Sequence, residues 1–502
     1  MDAFVGLAHG FGVVLTPANL YFCLIGSVVG TLIGVLPGIG PLAAMSLLLP
    51  ATFGMSPVAS ISMLTAMFYG AMYGGSTTSV LVNIPGEAAS VVTCLDGYQM
   101  ARRGRAGAAL GIAAIGSFIA GTLSLVVLTF FSPALSDVAL QFGPPENFAL
   151  MVLGLICTIL MIEGSALKGL LMVGLGALFA VVGLDSVTGQ ERFTFGSINL
   201  VAGVELIALV IGLFGISEIL GNVETKMESE LVSRKIGALW PTRQDWLDSW
   251  KAILRGSGLG FVLGFVPGGG PVTASFMAYA LERRIADRPE EFGTGRIEGV
   301  AGPESANNAA VASGMIPLLS LGLPGNAVTA LLMGALVLHG VQPGPLLITQ
   351  RPDVFWGVVA SMYVGNVILL ILNLPLVGLW VQLLRVPYSV LFPSIILLAL
   401  VGTYSANKNL FDLWVMLGFG VFGYVMRKFD YELAPLVLSF VLAPLLEQSL
   451  RQSMVMSAGG FDIFVSRPIS LSILALSAVI ALAAIIQRLR SKSTSTPQGV
   501  LS

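Results

Sequence analysis

Polar residues in this chain gather into short islands between long apolar stretches, and the lengths of those stretches predict helices that cross a bilayer. From Arg102 onward the apolar runs predict spans at about 106–131, 147–163, 166–184 and 199–222, and again at 354–384, 389–406, 410–426, 432–449 and 468–487. Runs such as Ala106 to Phe131 approach or exceed the roughly 20 residues needed to cross a hydrocarbon core about 30 Å thick. Two further apolar stretches are interrupted near their middles. Gly256 to Leu281 is broken by Pro267-Gly268-Gly269-Gly270-Pro271, and Tyr21 to Leu49 by Pro37-Gly38-Ile39-Gly40-Pro41. Basic residues flank the former at both ends: Lys251 and Arg255 before it, Arg283 and Arg284 after it. That pattern predicts a re-entrant hairpin from the cytoplasmic side, with two arms of about 11 residues that each rise about 16 Å. The stretch 21–49 has no flanking basic residue, which predicts a hairpin entering from the outside.

A shift of about 230 positions lays Gly26, Gly30, Gly34, Pro37, Gly38, Gly40 and Pro41 onto Gly256, Gly260, Gly264, Pro267, Gly268, Gly270 and Pro271. A second interrupted segment follows each hairpin. One covers 58–100, broken at Asn83-Ile84-Pro85-Gly86-Glu87, and the other covers 307–339, broken at Gly322-Leu323-Pro324-Gly325-Asn326. About four spans follow each, so every copy crosses the membrane an odd number of times and the second copy is inverted. The expected fold is an all-α polytopic membrane protein of two inverted-topology repeats, each with a re-entrant hairpin and an interrupted helix. Residues 1–222 form the first repeat, 223–255 a cytoplasmic connector ending in an interfacial helix, 256–450 the second repeat, and 451–502 a terminal span with a cytoplasmic tail. Paired Gly/Pro-interrupted segments at matching positions point to a secondary transporter and to its binding site.

Composition agrees with a lipid-embedded chain. Of 502 residues 55% are hydrophobic and 10% charged, with a mean hydropathy of +0.89, too little charge to coat a water-soluble globule. The net charge of -2 says nothing about partners, but the placement of charge does. With the Arg102/Arg103/Arg105 loop inside, 20 of the 25 Lys and Arg fall on the cytoplasmic side, and Arg192, Arg351, Lys408, Arg451 and Arg467 outside. Cys23, Cys94 and Cys157 sit in apolar surroundings without a CxxC pair, which argues against disulfides and zinc. No Lys or Arg precedes Arg102, so a cleaved signal peptide is not expected. The 223–255 segment mixes signs at Glu224, Lys226, Glu228, Glu230, Arg234 and Lys235 and carries Trp240, Trp246 and Trp250.

Irregular backbone at membrane depth must pack in protein or line a wet cavity, so the breaks face inward. Half-helices beginning after them point free N–H groups and a positive dipole end at what lies beyond, which favours a carboxylate. Candidate substrate-binding residues are Pro37, Gly38, Ile39, Gly40, Pro41, Ser76, Thr77, Thr78, Asn83, Pro85, Gly86, Pro267, Gly268, Gly269, Gly270, Pro271, Asn307, Asn308, Pro324, Gly325 and Asn326. Glu87, Asp96, Glu304 and Ser305 are candidates for cation coupling, since intramembrane acids bind Na+ or carry protons. Against this, membrane Ser and Thr more often bond their own helix, and glycines often serve only close packing. Glu205 can equally mark a structural pair, and His9 and His339 fall near span ends.

The segments GVLPGIGP (34–41), YGGSTTSVLVNIPGE (73–87), GFVPGGGP (264–271), GPESANNAA (302–310) and LGLPGNA (321–327) resemble the large membrane subunit of tripartite tricarboxylate transporters, the TctA family. The likeness extends to about residue 430. It implies a multi-pass protein of the Gram-negative inner membrane with a cytoplasmic C-terminus. Its partners would be a small membrane subunit of TctB type and a periplasmic solute-binding protein of TctC type, which delivers a di- or tricarboxylate. Symport with Na+ or H+, an elevator-like mechanism, no cofactor beyond a coupling Na+ and no nucleic-acid partner follow from the same reading. Three alternatives are a stand-alone carboxylate carrier, a channel, and an intramembrane enzyme. The enzyme is disfavoured because no HExxH, P-loop or convincing Ser-His or Asp-Asp pairing is present.

Overall fold

The computed structural model describes residues 3–36, 40–161, 165–185, 187–224, 237–383 and 388–494. In chain order the helices of the first half are α1 (Ala3–Val14), α2 (Pro17–Val35), α3 (Pro41–Leu48), α4 (Pro57–Val82), α5 (Val91–Arg102), α6 (Ala106–Ala139), α7 (Pro144–Met161), α8 (Ala166–Ala180), α9 (Leu206–Val210) and α10 (Ser217–Glu224). Those of the second half are α11 (Arg243–Phe265), α12 (Pro271–Ile285), α13 (Glu298–Leu321), α14 (Ala327–Leu338), α15 (Leu347–Gln350), α16 (Pro352–Asn373), α17 (Val377–Leu383), α18 (Tyr388–Asn407), α19 (Leu410–Lys428), α20 (Ala434–Met456), α21 (Ile463–Ser466) and α22 (Pro468–Thr494). A turn of π-helix, Ile211–Ile216, joins α9 to α10, and one antiparallel pair, Gly183–Leu184 with Glu191–Arg192, forms a small surface hairpin. The protein is an all-α polytopic membrane protein. Among the described residues four helices (α2, α6, α16 and α19) are long and apolar enough to cross a bilayer unaided, and shorter apolar helices accompany them.

Two helices carry the core. From Val58 to Leu81 α4 is buried throughout, and so is α13 from Gly299 to Ser320. An α-helix buried on every face has no amphipathic stripe, which is why neither shows a polar side in sequence. Each takes one partner at backbone distance. Gly26, Gly30 and Gly34 of α2 lie against Met63, Met67 and Ala71 of α4, while Gly256, Gly260 and Gly264 of α11 lie against Gly302, Ala306 and Ala310 of α13. A Cβ at any of these six glycines would overlap a backbone carbonyl on the facing helix. Without a hydrophobic drive between helices in lipid, close backbone approach through small residues supplies the packing. Large apolar side chains stay exposed on the outer helices, among them Phe130, Leu397, Val401, Trp414, Val421 and Val479. That is the surface expected to meet lipid.

The ends of the two long helices are alike in backbone geometry. Asn83 closes α4 in the left-handed conformation (φ 60°, ψ 28°), and Gly322, 239 positions later, closes α13 at φ 70°, ψ 27°. Glu87 then opens the next helical turn at φ -149°, ψ 167°, and Asn326, again 239 positions later, opens α14 at φ -153°, ψ 174°.

The structure also departs from the sequence reading in two places. The arms beside the PGxGP loops are unequal: 19 and 8 residues in α2 and α3, and 23 and 15 in α11 and α12. At 1.5 Å per residue α11 rises about 34 Å, not the 16 Å expected of that arm, and α2 rises about 28 Å. In addition, among the described residues no separate interfacial helix precedes residue 256. Thr242 and Asp245 form a capping box that starts α11, and the helix runs unbroken through Arg255 into the apolar stretch. Arg255 of α11 pairs with Glu282 of α12 through two bonds of 2.8 and 2.5 Å, tying the bases of the two arms. The charged residues Lys226 to Lys235 of the connector lie outside the described residues.

Candidate functional site

A cavity of about 710 Å³ opens where the loops between paired helices meet. That volume lies within the range of small-ligand sites. Its wall includes Gly40 and Pro41 from the first loop, Pro85, Gly86 and Glu87 from the first break, Gly268, Gly269, Gly270 and Pro271 from the second loop, and Gly325 and Asn326 from the second break. All four interruptions singled out in sequence therefore face one space.

Helix starts dominate this wall. The first residues of α3 (Pro41, Leu42, Ala43), α12 (Pro271, Val272, Thr273), α14 (Ala327, Val328) and α20 (Ala434, Pro435) all line it. The first four N–H groups of a helix lack internal partners and carry its positive end. Those starts are finished in two ways. The Asn326 side chain accepts from Thr329 N at 3.0 Å while its own N–H donates to Thr329 Oγ1 at 2.9 Å, and the Glu87 carboxylate accepts from Ala89 N at 2.6 Å while its own N–H donates to Ser90 Oγ at 3.3 Å. Gly40, Gly270 and Leu433, which precede α3, α12 and α20, form no side-chain cap. The starts at the two PGxGP loops are thus uncapped, while the two Pro-Gly breaks are closed by their own side chains.

Gly268 sits at φ 82° with its N–H on Gly325 O at 2.8 Å, a backbone bond joining the second loop to the second break. A Cβ at Gly268 would press into the backbone of Cys157 and Thr158 of α7, so both the turn and the neighbour demand glycine there.

Other predicted residues take different places. Pro37, Gly38 and Ile39 lie outside the described residues. Ser76, Thr77, Thr78, Asn83, Pro267, Pro324, Asn307 and Asn308 are not among the cavity-lining residues. Thr78 Oγ1 bonds Val35 O at 2.6 Å, fastening α4 to α2. Asp96 accepts from Tyr279 Oη at 2.9 Å and from the backbone N–H groups of Gly293 (3.0 Å), Gly295 (2.7 Å) and Arg296 (2.7 Å), so it ties the 293–296 loop to α5. Glu304 and Ser305 are fully buried beside the cavity. Glu205 caps α9 by accepting from Ala208 N at 2.9 Å, and His339 Nε2 meets Thr52 Oγ1 at 3.0 Å.

Several lining residues escaped the sequence reading: Phe68, Met72, Thr158, Phe214, Glu218, Arg427, Tyr431 and Glu432. Arg427 pairs with Glu218, the first joining from the last turn of α19 and the second from α10, just past the π-helical turn. Among the described lining residues Arg427 is the one permanent cation. An acid inside the predicted 199–222 span was a signal that could have found Glu218.

Comparison with known proteins follows this geometry. The profile of a family described as the tripartite tricarboxylate transporter TctA family matches residues 20–438. An Agrobacterium vitis protein described as an uncharacterized 52.8 kDa protein in the TAR-I ttuC' 3' region is 49% identical over 492 residues, covering 98% of each chain. A second Agrobacterium vitis protein, described as uncharacterized and from the TAR-II ttuC' 3' region, is 51% identical over 233 residues, 46% of this chain and 96% of its own. No solved structure matches the chain.

Proposed function

The chain belongs to the tripartite tricarboxylate transporter TctA family, and from that premise we propose that it is the large membrane subunit through which a di- or tricarboxylate enters the cell, coupled to Na+ or H+. The family makes it one component of a tripartite transporter with partner subunits. In this reading a TctB-type small subunit accompanies it in the inner membrane, and a TctC-type periplasmic protein delivers the anion. The observation that carries the proposal is the convergence of four helix starts on one cavity, three of them without side-chain caps. A carboxylate there receives N–H donors and dipole ends without requiring a buried lysine.

The mechanism that fits is alternating access with the two loop-and-break assemblies moving against the outer helices. Supporting it, the capping geometry at Asn83 and Glu87 recurs at Gly322 and Asn326, and the glycine contacts of α2 with α4 recur between α11 and α12's neighbour α13. Two inverted repeats, each with a hairpin entering from its own side, account for both recurrences, and the Arg255–Glu282 tie at the base of α11 and α12 suits a hairpin whose arms share one end. The coupling cation is the one accessory the transport cycle needs, and the C-terminal tail lies in the cytoplasm. Reconstitution of the complex with and without the periplasmic protein, followed by uptake of labelled carboxylates, tests the reading. Saturable uptake that depends on that protein is expected. Saturable uptake by the membrane chain alone would indicate a stand-alone carrier, and unsaturable flux a channel. An elevator further requires that cross-linking a cysteine at the 267–271 loop to an outer helix halts transport.

A further inference from the structure

A fully buried polar cluster centres on Glu304. Its carboxylate accepts from the Thr93 hydroxyl of α5 and from Asn307 Nδ2 at 3.2 Å, and the Ser76 hydroxyl of α4 also lies against it. The backbone carbonyl of Glu304 accepts from Ser117 Oγ of α6 at 3.2 Å and from Asn308 Nδ2 at 3.1 Å. The same Asn308 nitrogen reaches Ser117 Oγ at 2.8 Å and Asn307 Oδ1 at 2.5 Å. Four helices therefore contribute oxygen atoms to one spot, and Glu304, Ser305, Asn307 and Asn308 are all 0% exposed.

Two things in the cluster are unbalanced. Among the described residues the ion pairs engage other carboxylates, and none engages Glu304. Asn308 Oδ1 is buried without a hydrogen-bond partner. An unpaired carboxylate at this depth is costly, and an orphaned buried oxygen adds to that cost. A proton on Glu304 would cancel the charge but leave that oxygen unsatisfied. A bound cation answers both. One carboxylate balances a single positive charge, and among the described residues no group of three His, Cys, Asp or Glu is present to hold a divalent or transition ion. Hard oxygen donors without sulfur or imidazole suit an alkali cation.

We propose that this cluster is a Na+ site, with the Glu304 carboxylate and the side-chain oxygens of Thr93, Ser76, Asn307 and Asn308 as its donors. The site rests on the transport reading for its role in coupling, but its occupancy does not. It is not a by-product of the repeat, because the offset that carries Glu87 onto Asn326 places Thr65, Phe68 and Tyr69 opposite Glu304, Asn307 and Asn308. Its link to the cavity is short. Ser76 and Thr93 stand on the two helices flanking the 83–87 break, and a Cβ on Gly75 would lie 2.9 Å from Glu87 Cγ and 3.2 Å from Ser90 Oγ. Na+ holding α4 to α5 thereby fixes the break that places Pro85, Gly86 and Glu87 on the cavity wall.

The test is thermal denaturation of the purified full-length protein, with its partner subunits where they co-purify, titrated with NaCl at constant ionic strength against choline chloride and KCl and without carboxylate. Na+ is expected to raise the melting temperature saturably where choline and K+ do not. E304Q should abolish that rise while eluting as a monodisperse species. N308A, which keeps the carboxylate, should raise the half-saturating Na+ about tenfold or more. No Na+-specific rise in the wild type, or a rise retained in E304Q and N308A, overturns the site. A rise as the pH is lowered, in place of a rise with Na+, overturns it in favour of a proton. Carboxylate uptake by the reconstituted complex is scored separately. Uptake without Na+ stabilisation discards the site and keeps the transporter, and Na+ stabilisation that depends on Glu304, without uptake, does the reverse.

Discussion

Two substitutions at Asn326, N326A and N326D, separate its capping of α14 from its place on the cavity wall. The side chain accepts from Thr329 N at 3.0 Å and lines the cavity with Gly270 and Gly325 nearby. Losing an Asn cap costs about 0.5–2 kcal/mol, which is the destabilisation expected of N326A. N326D keeps the acceptor, so it should recover most of that stability. It also sets a negative charge facing the anion. Two like charges about 5 Å apart at an effective dielectric of about 20 repel by about 3 kcal/mol, which corresponds to a loss of roughly 100-fold in affinity. The assay pairs thermal denaturation of the purified variants with carboxylate binding across pH. N326A should be destabilised, whereas N326D should be stable but weak in binding, and its affinity should recover as acid neutralises the new carboxyl. If N326D binds the carboxylate as tightly as the wild type at neutral pH, the anion does not approach this helix start and the reasoning fails.

Other consequences can be checked with less effort. G260V and G30V each force a branched side chain into a facing backbone, at Ala306 and Met67, and should cost about 1–3 kcal/mol or more of packing strain, read as loss of monodisperse protein; G258V, at a glycine with open space around it, should be tolerated. E218Q releases Arg427 toward the cavity and should lower the half-saturating carboxylate concentration, while R427Q should raise it about tenfold or more; a shift in the same direction for both would remove Arg427 from anion recognition. At the surface hairpin the backbone N–H groups of Thr188 and Val187, then Arg192, hold the Asp185 carboxyl well below the usual carboxylate range. A depressed acid stabilises the fold above its unfolded value of about 3.9 and loses that contribution as pH falls through the folded value. The melting temperature should therefore drop in acid, and D185N should lie below the wild type at pH 7 with the gap closing below about pH 4.

Much of the architecture was legible because interruptions leave marks that apolar runs do not hide. Pro and Gly at 85–86 and 324–325 announced the ends of α4 and α13, and the predicted spans 106–131, 410–426 and 468–487 fall within α6, α19 and α22. The arm lengths were not legible from charge alone. Arg243 to Arg255 read as surface, yet the Thr242/Asp245 box starts a helix that carries those charges straight into the apolar stretch. Sorting the polar candidates needed three dimensions. Asp96, Glu87 and Glu304 look alike as intramembrane acids, but one fastens a loop, one faces the cavity and one accepts from a hydroxyl and an amide in a buried cluster. Arg427 and Lys428 appeared only as topology markers, because nothing in a linear reading brings α10 to the end of α19.

The bond from Gly268 N–H to Gly325 O has a consequence for how this protein must be probed. Neither partner is a side chain, so alanine or cysteine scanning passes over the tie and registers only the distortion of adding a Cβ at Gly268. The loop after α11 and the break before α14 are thus spliced into one mechanical piece by atoms common to every residue. Backbone chemistry, an ester in place of the amide at 268, is the perturbation that would cut it cleanly.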